Sequence, residues 1–218
     1  LILVAQETTV YGIDIIGYEI TDNEVGVNFY IDNTGSSTGN VSDLDTIKAA
    51  GEKLINKGAE ALAIVCSFPE CEGEDNYAKG VGADPVGGVE AIISHYISKE
   101  LFVPCAHAPA FENISISTDI VDSRCSAEYI TPTFLPCILI GLSIAPKLSK
   151  TKGISVKNID FLAMPYNCLG SIPVIEMCKL GKPVYAIREN KSVLNVTNNL
   201  LNLNCKELDK YSDINLLI

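Results

Sequence analysis

Apolar residues along this chain fall into two kinds of run, and their alternation sets the expected fold. Short continuous runs such as Glu60–Cys66 (EALAIVC), Asn158–Cys168 and Pro183–Ile187 have the length and aliphatic content of strands covered on both faces. Between them, Ser42–Lys57, Val89–Glu100 and Ser171–Leu180 read as helices. In the first of these, Leu44, Ile47, Leu54 and Ile55 mark one face, Ser42 is placed to cap it and Gly58 to stop it. Helices alternating with continuous apolar strands predict an α/β fold with a parallel sheet. The remaining runs are less regular. Leu1–Ala5 reads as a short buried strand, and Tyr11–Ile31 alternates as an edge hairpin turned at Asp22-Asn23. Asn33–Asn40 is a loop rich in hydroxyls and glycine, and Cys71–Lys79 an acidic loop. Leu101–Cys105 reads as a short strand, Thr118–Tyr129 as a helix with Asp119 and Asp122 at its positive end, and Ile138–Ala145 as a buried helix. The tail Asn190–Ile218 holds weakly amphipathic pieces and no chemistry.

Two stretches share one order of elements. An apolar strand ends at Cys66, a loop and helix follow, and Lys99–Cys105 leads into a strand. Another ends at Cys168, a helix follows, and Lys179–Val184 leads into a strand. Read as an internal repeat, this predicts two pseudo-symmetric lobes with mainly parallel sheets, residues 1–150 and 151–218, joined by the Lys-rich stretch Lys147–Lys157. Cys66 and Cys168 would then end equivalent strands and face a shared cleft. Two βαβ units also look alike by chance, because such units are stereotyped.

Composition narrows the partners. A net charge of −11, with Arg124 and Arg188 as the only arginines, argues against nucleic acid and against anionic membrane surfaces. No apolar run has transmembrane length. The eight cysteines are irregularly spaced, and a chain of this size can bury a core without staples. Reduced thiols in the cytoplasm are the expectation. The chain opens on Leu1-Ile2-Leu3-Val4 without a methionine, which suggests a missing N-terminal region; homo-oligomerisation is equally compatible. The Asn33–Asn40 loop lacks the lysine of a phosphate-binding loop, so no nucleotide cofactor is expected.

Chemistry-bearing residues concentrate in Gly80–Phe111, which holds both histidines, His95 and His107, together with Asp84. Cys66 and Cys168 suit proton transfer at a carbon next to a carboxylate, one thiolate taking a proton and the other thiol returning one. Cys168 stands just before a helix whose dipole favours a thiolate. Ser36, Ser37, Thr38, Ser67 and Cys105 are candidates for holding the substrate. A second reading centres a Cys/His hydrolase or a zinc enzyme on Cys105, His107 and His95, although no CxxC or HExxH spacing supports a metal. A third is a non-catalytic ligand-binding subunit. Plainer roles exist for each residue. Asp84 can open a helix, His95 can bond to a neighbouring strand, His107 can cap a loop, and Cys71, Cys137, Cys178 and Cys205 can be small buried hydrophobes.

Two resemblances add to these readings. Ile159–Ile187 resembles the C-terminal half of the aspartate/glutamate racemase superfamily, which includes maleate isomerases and arylmalonate decarboxylases. Gly58–Cys66 (GAEALAIVC) is similar to the strand carrying the first catalytic cysteine there. That resemblance implies a racemase-like α/β fold and cofactor-independent isomerase or lyase chemistry on a small carboxylate, with Cys66 and Cys168 as the acid/base pair. Phe68-Pro69 after Ser67, and Leu169-Gly170 after Cys168, depart from its usual pattern. Gly82–His95 (GADPVGGVEAIISH), Val103–Ala110 (VPCAHAPA) and Thr133–Pro146 (TFLPCILIGLSIAP) resemble the family called domain of unknown function 3326. This second resemblance implies an additional N-terminal region and brings no established activity.

Overall fold

The computed structural model describes residues 11–68, 74–110, 118–126, 129 and 134–217, and the chain divides into two compact units, Leu1–Leu148 and Ser149–Ile218. The strand expected at Leu1–Ala5 lies outside the described residues, as do Cys71 and parts of the 118–129 segment.

In the first unit, β1 (Val27–Ile31) and β2 (Ser37–Val41) form an antiparallel hairpin with Val27 opposite Val41. Its turn is built on Asp32, whose Oδ1 accepts from the Thr34 N–H (2.8 Å), the Thr34 hydroxyl (2.5 Å) and the Ser36 N–H (3.0 Å). Gly35 completes the reversal at φ 84°. The hairpin therefore turns at residues 32–36 rather than at Asp22-Asn23, and half of the expected hydroxyl-rich loop is strand. Next comes α1 (Leu44–Asn56). Ser42 does not cap it; the Ser42 hydroxyl accepts from the Gly26 N–H (3.1 Å), and Asp43 stands at the cap position.

The central pair of strands is β3 (Leu62–Cys66) and β4 (Cys105–Pro109), which run parallel with Leu62 opposite Cys105, Ile64 opposite His107 and Cys66 opposite Pro109. Between them lie α2 (Glu74–Ala78), inside the expected acidic loop, and α3 (Gly87–Leu101). The strand expected at Leu101–Cys105 is corrected: Leu101 ends α3, Phe102 takes the left-handed cap position at φ 56°, and β4 begins at Cys105. The Ser98 hydroxyl donates to the Val103 carbonyl (2.9 Å) and holds this sharp return. Residues 118–122 are not helical; Ser123–Cys125 form a turn held by the Asp122 carboxylate, which takes the Arg124 N–H and guanidinium. The last helix of the unit, α4 (Phe134–Ser143), packs on β3 and β4 and exposes Ile140, so it is not buried all round.

Helix α3 organises this unit, packing against α1, β2 and β4. Val89, Ile93 and Ile97 on its inner face are almost fully buried with Ile47 and Leu62. Lys48–Glu100 (3.1 Å) and Tyr96–Asp45 (3.2 Å) tie it to α1. Its start lies against β2 so closely that a Cβ on Gly88 would fall 2.1 Å from the Ser37 carbonyl oxygen. Only glycine permits that approach.

The second unit is a parallel sheet in the order β5-β6-β7, from β5 (Leu162–Pro165), β6 (Val184–Ile187) and β7 (Lys206–Leu208). α5 (Ile172–Lys179) crosses from β5 to β6, and α6 (Asn198–Leu201) precedes β7. The core is Leu169, Val174, Met177, Val184 and Ala186. The strand expected to reach Cys168 stops at Pro165, and Cys168 instead bridges Val196. The tail is not idle, for it supplies the third strand. The chain is thus mixed α/β with small parallel and antiparallel sheets. Among the described residues no helix is long and apolar enough to cross a membrane.

Candidate functional site

Strand β4 presents His107 toward α3, where two polar side chains occupy otherwise apolar inner positions. Glu90 and Ser94 lie one helical turn apart and are 5% and 3% exposed. The Ser94 hydroxyl is 2.9 Å from His107 Nδ1, and Glu90 Oε2 is 3.8 Å from His107 Nε2. Ser94 also reaches the Ala91 carbonyl at 3.3 Å. Electrostatics select the tautomer. A ring with its proton on Nε2 points that proton at the carboxylate, whereas the other tautomer would aim a lone pair at it. Ser94 then donates to Nδ1. When His107 gains a second proton, Ser94 can turn its own proton to Ala91 and accept from Nδ1. The serine thus serves both charge states of the ring.

Burial pushes the His107 imidazole below its ordinary range, and His95 nearby pushes it the same way. Asp84 offsets part of this, and the net direction is down. The ring remains accessible, with a third of its side chain exposed.

The two cysteines on this strand pair behave differently from the expected thiolate. Burial, and then the negative field of Glu90, push the Cys66 thiol up to about 11. Burial and then Cys66 push Cys105 up to about 12. Both are held as neutral thiols at physiological pH, able to give a proton but poorly able to take one. His107 Nδ1 is engaged by Ser94, and among the described residues the hydrogen-bond acceptor of the Cys105 thiol is the Ala106 carbonyl, at 4.0 Å.

Of the remaining site residues read from the sequence, Asp84 accepts from the Val86 N–H (3.0 Å) at the start of α3, and His95 is exposed on the same helix. Ser37 accepts from the Gly88 N–H (3.1 Å) and donates to the Pro85 carbonyl (2.9 Å), joining β2 to the beginning of α3. Ser36 belongs to the Asp32 turn, Thr38 pairs with Tyr30 in the hairpin, and Ser67 is exposed just past β3. The supposed substrate cradle is therefore engaged in holding the hairpin and the helix start. Among the described residues, no group of three or more His, Cys, Asp or Glu side chains is arranged to hold a metal ion.

Cys168 belongs to the second unit, past the carboxyl end of β5, where parallel α/β sheets carry their ligands. Its thiol lies 2.8 Å from the Ser192 hydroxyl. Asn167, 5% exposed, donates to the carbonyls of Ser192 (2.9 Å) and Leu194 (2.6 Å) and accepts from the Ser192 N–H (3.1 Å). Neither Asn167 nor Ser192 stands out in the sequence, since asparagines and serines in polar stretches are ordinary loop residues.

Comparison with known proteins places the chain. A model of the family described as protein of unknown function (DUF3326) matches residues 2–217. The chain belongs to this family. An uncharacterized lipoprotein from Synechococcus sp. is 35% identical over 193 residues, which cover 85% of this chain and 54% of the relative. The DUF3326 chain thus spans about half the length of the curated relative it matches. No solved structure matches it. Within this DUF3326 chain, the segments Gly82–His95 and Val103–Ala110 contain Asp84, Glu90, Ser94, His95 and His107, so the strings that resemble the family also build the histidine site.

Proposed function

We propose that this chain is part of a cofactor-independent enzyme, an isomerase or lyase, that moves a proton on a small carboxylate. The observation that carries this reading is the Ser94–His107–Glu90 arrangement on adjacent elements of one α/β unit. An imidazole tuned below its usual range is largely neutral at physiological pH, so it can act as a general base. Its serine partner serves both the neutral and the charged ring. The carboxylate substrate, the racemase-like fold and the acid/base roles of Cys66 and Cys168 rest on the resemblance of Gly58–Cys66 and Ile159–Ile187. With its thiol pushed up to about 11, Cys66 takes the proton-donating part, which leaves the accepting part to His107 and Cys168.

The hydrolase and zinc alternatives have less support, because His107 is engaged by Ser94 rather than Cys105. The compartment is also a proposal. Seven described cysteines are free thiols, which favours a reducing environment, while the Synechococcus relative bears the name lipoprotein.

The test is isotopic. The protein is incubated with a panel of small saturated and unsaturated carboxylic acids in deuterated water. Deuterium should appear at the carbon next to a carboxylate, and His107→Gln should slow its uptake by about 100-fold or more. Undiminished uptake in that variant removes His107 from the reaction. No uptake from any acid, alongside a rise in thermal stability with one of them, would favour the ligand-binding subunit.

A further inference from the structure

We infer that Ser192 and Asn167 are positioning residues for Cys168, holding a hydroxyl where it can bind the cysteine sulfur in either protonation state. This rests on the proposed role of Cys168 in proton transfer. Three of the described thiols differ in what they touch. Cys125 reaches the carbonyls of Ala78 and Asp122, and Cys105 the carbonyl of Ala106. A carbonyl can only accept, so it stabilises a thiol and never a thiolate. Cys168 has an acceptor of this kind in Asn167 Oδ1, at 3.8 Å, but it lies closer to the Ser192 hydroxyl, at 2.8 Å, and a hydroxyl can also donate.

The proton count at Ser192 closes in both states. Its oxygen accepts from the Leu194 N–H (3.0 Å), and its single proton has two acceptors, Cys168 Sγ and Asn167 Oδ1 (3.3 Å). With Cys168 protonated, the thiol donates to Ser192, and Ser192 donates to Asn167. With Cys168 ionised, Ser192 turns its proton onto sulfur, and Asn167 Oδ1 keeps the Ser192 N–H. No group is left without a partner by the change. Asn167 fixes the geometry by gripping the backbone at Ser192 and Leu194, while the Val196 N–H donates to the Asn167 carbonyl (2.9 Å). That grip holds Ser192 within the exposed segment of residues 190–195, which the Asn190–Tyr211 bond (2.9 Å) and the Cys168–Val196 bridge anchor at its ends.

The experiment follows alkylation of Cys168 by iodoacetamide across pH 6–10, resolved from the other cysteines by peptide mass spectrometry. It needs no substrate, so its outcome is independent of whether the carboxylate reading holds. Ser192→Ala should move the Cys168 midpoint upward and slow its alkylation at neutral pH by about tenfold, the size of one lost charge-assisted hydrogen bond. Ser192→Thr, which keeps the hydroxyl, should restore most of the wild-type profile. Asn167→Ala should reproduce the upward shift. A midpoint unmoved in Ser192→Ala overturns the inference outright. A shift in Ser192→Ala without one in Asn167→Ala overturns the role given to Asn167.

Discussion

Each of the two units sets a serine between a titratable side chain and a carbonyl oxygen, yet the surroundings differ. In the first, Ser94 is buried between helix and strand, with the ring of His107 on one side and the Ala91 carbonyl on the other. In the second, Ser192 sits on an exposed segment, with Cys168 on one side and the side-chain oxygen of Asn167 on the other. Burial decides what each group can do. In the first unit it keeps the Cys66 thiol neutral at the end of β3 and favours the uncharged imidazole of His107. In the second, the sulfur of Cys168 is half-buried and has a hydroxyl donor within reach. A histidine held by a buried serine and a cysteine held by an exposed one follow from one hydrogen-bonding device placed at two depths.

The comparison breaks most readily at the support of the first site. Gly88→Ala should cost about 3 kcal/mol in urea unfolding, since its Cβ would meet the Ser37 backbone and not a yielding side chain. A loss within experimental error would mean that α3 does not depend on that close approach. Ser94→Ala should cost less, about 1–2 kcal/mol, by leaving Nδ1 of His107 without its partner. Deuterium uptake should fall in the same variant, because the charged ring loses its acceptor.

A smaller effect concerns pH. The folded His107 lies below its unfolded value near 6.5, so the unfolded chain takes up the proton first as pH falls. Stability from this group is therefore complete above that value and declines as pH falls through the folded one. His107→Gln should flatten the decline. A slope as steep as the wild type's would assign it to other groups.

Much of the framework is legible in the sequence. The continuous run at Glu60–Cys66 and the helices at Val89–Glu100 and Ser171–Leu180 declare themselves by period and length, and each corresponds to an observed element within a few residues. The turn at Asp32 escapes such a reading because an Asx turn depends on one side chain reaching three donors, which composition does not reveal. The chemistry is harder to read. His107, His95 and Asp84 draw notice as residue types, whereas Glu90 is a polar candidate that the sequence gives no place and Ser94 looks like an ordinary helix residue. The available signal is their position: both neighbour the Val89, Ile93 and Ile97 stripe that α3 turns inward. Asn167 and Ser192 give no such signal, since the contact between them spans α5 and β6 and exists only once the chain has folded.

Nitrogen NMR of the His107 ring across pH 4–8 tests the central claim most directly. The account predicts a neutral ring protonated at Nε2, with Nδ1 bare toward Ser94, and a titration midpoint below that of an exposed histidine. A neutral ring protonated at Nδ1, or a midpoint above the ordinary value, would contradict it.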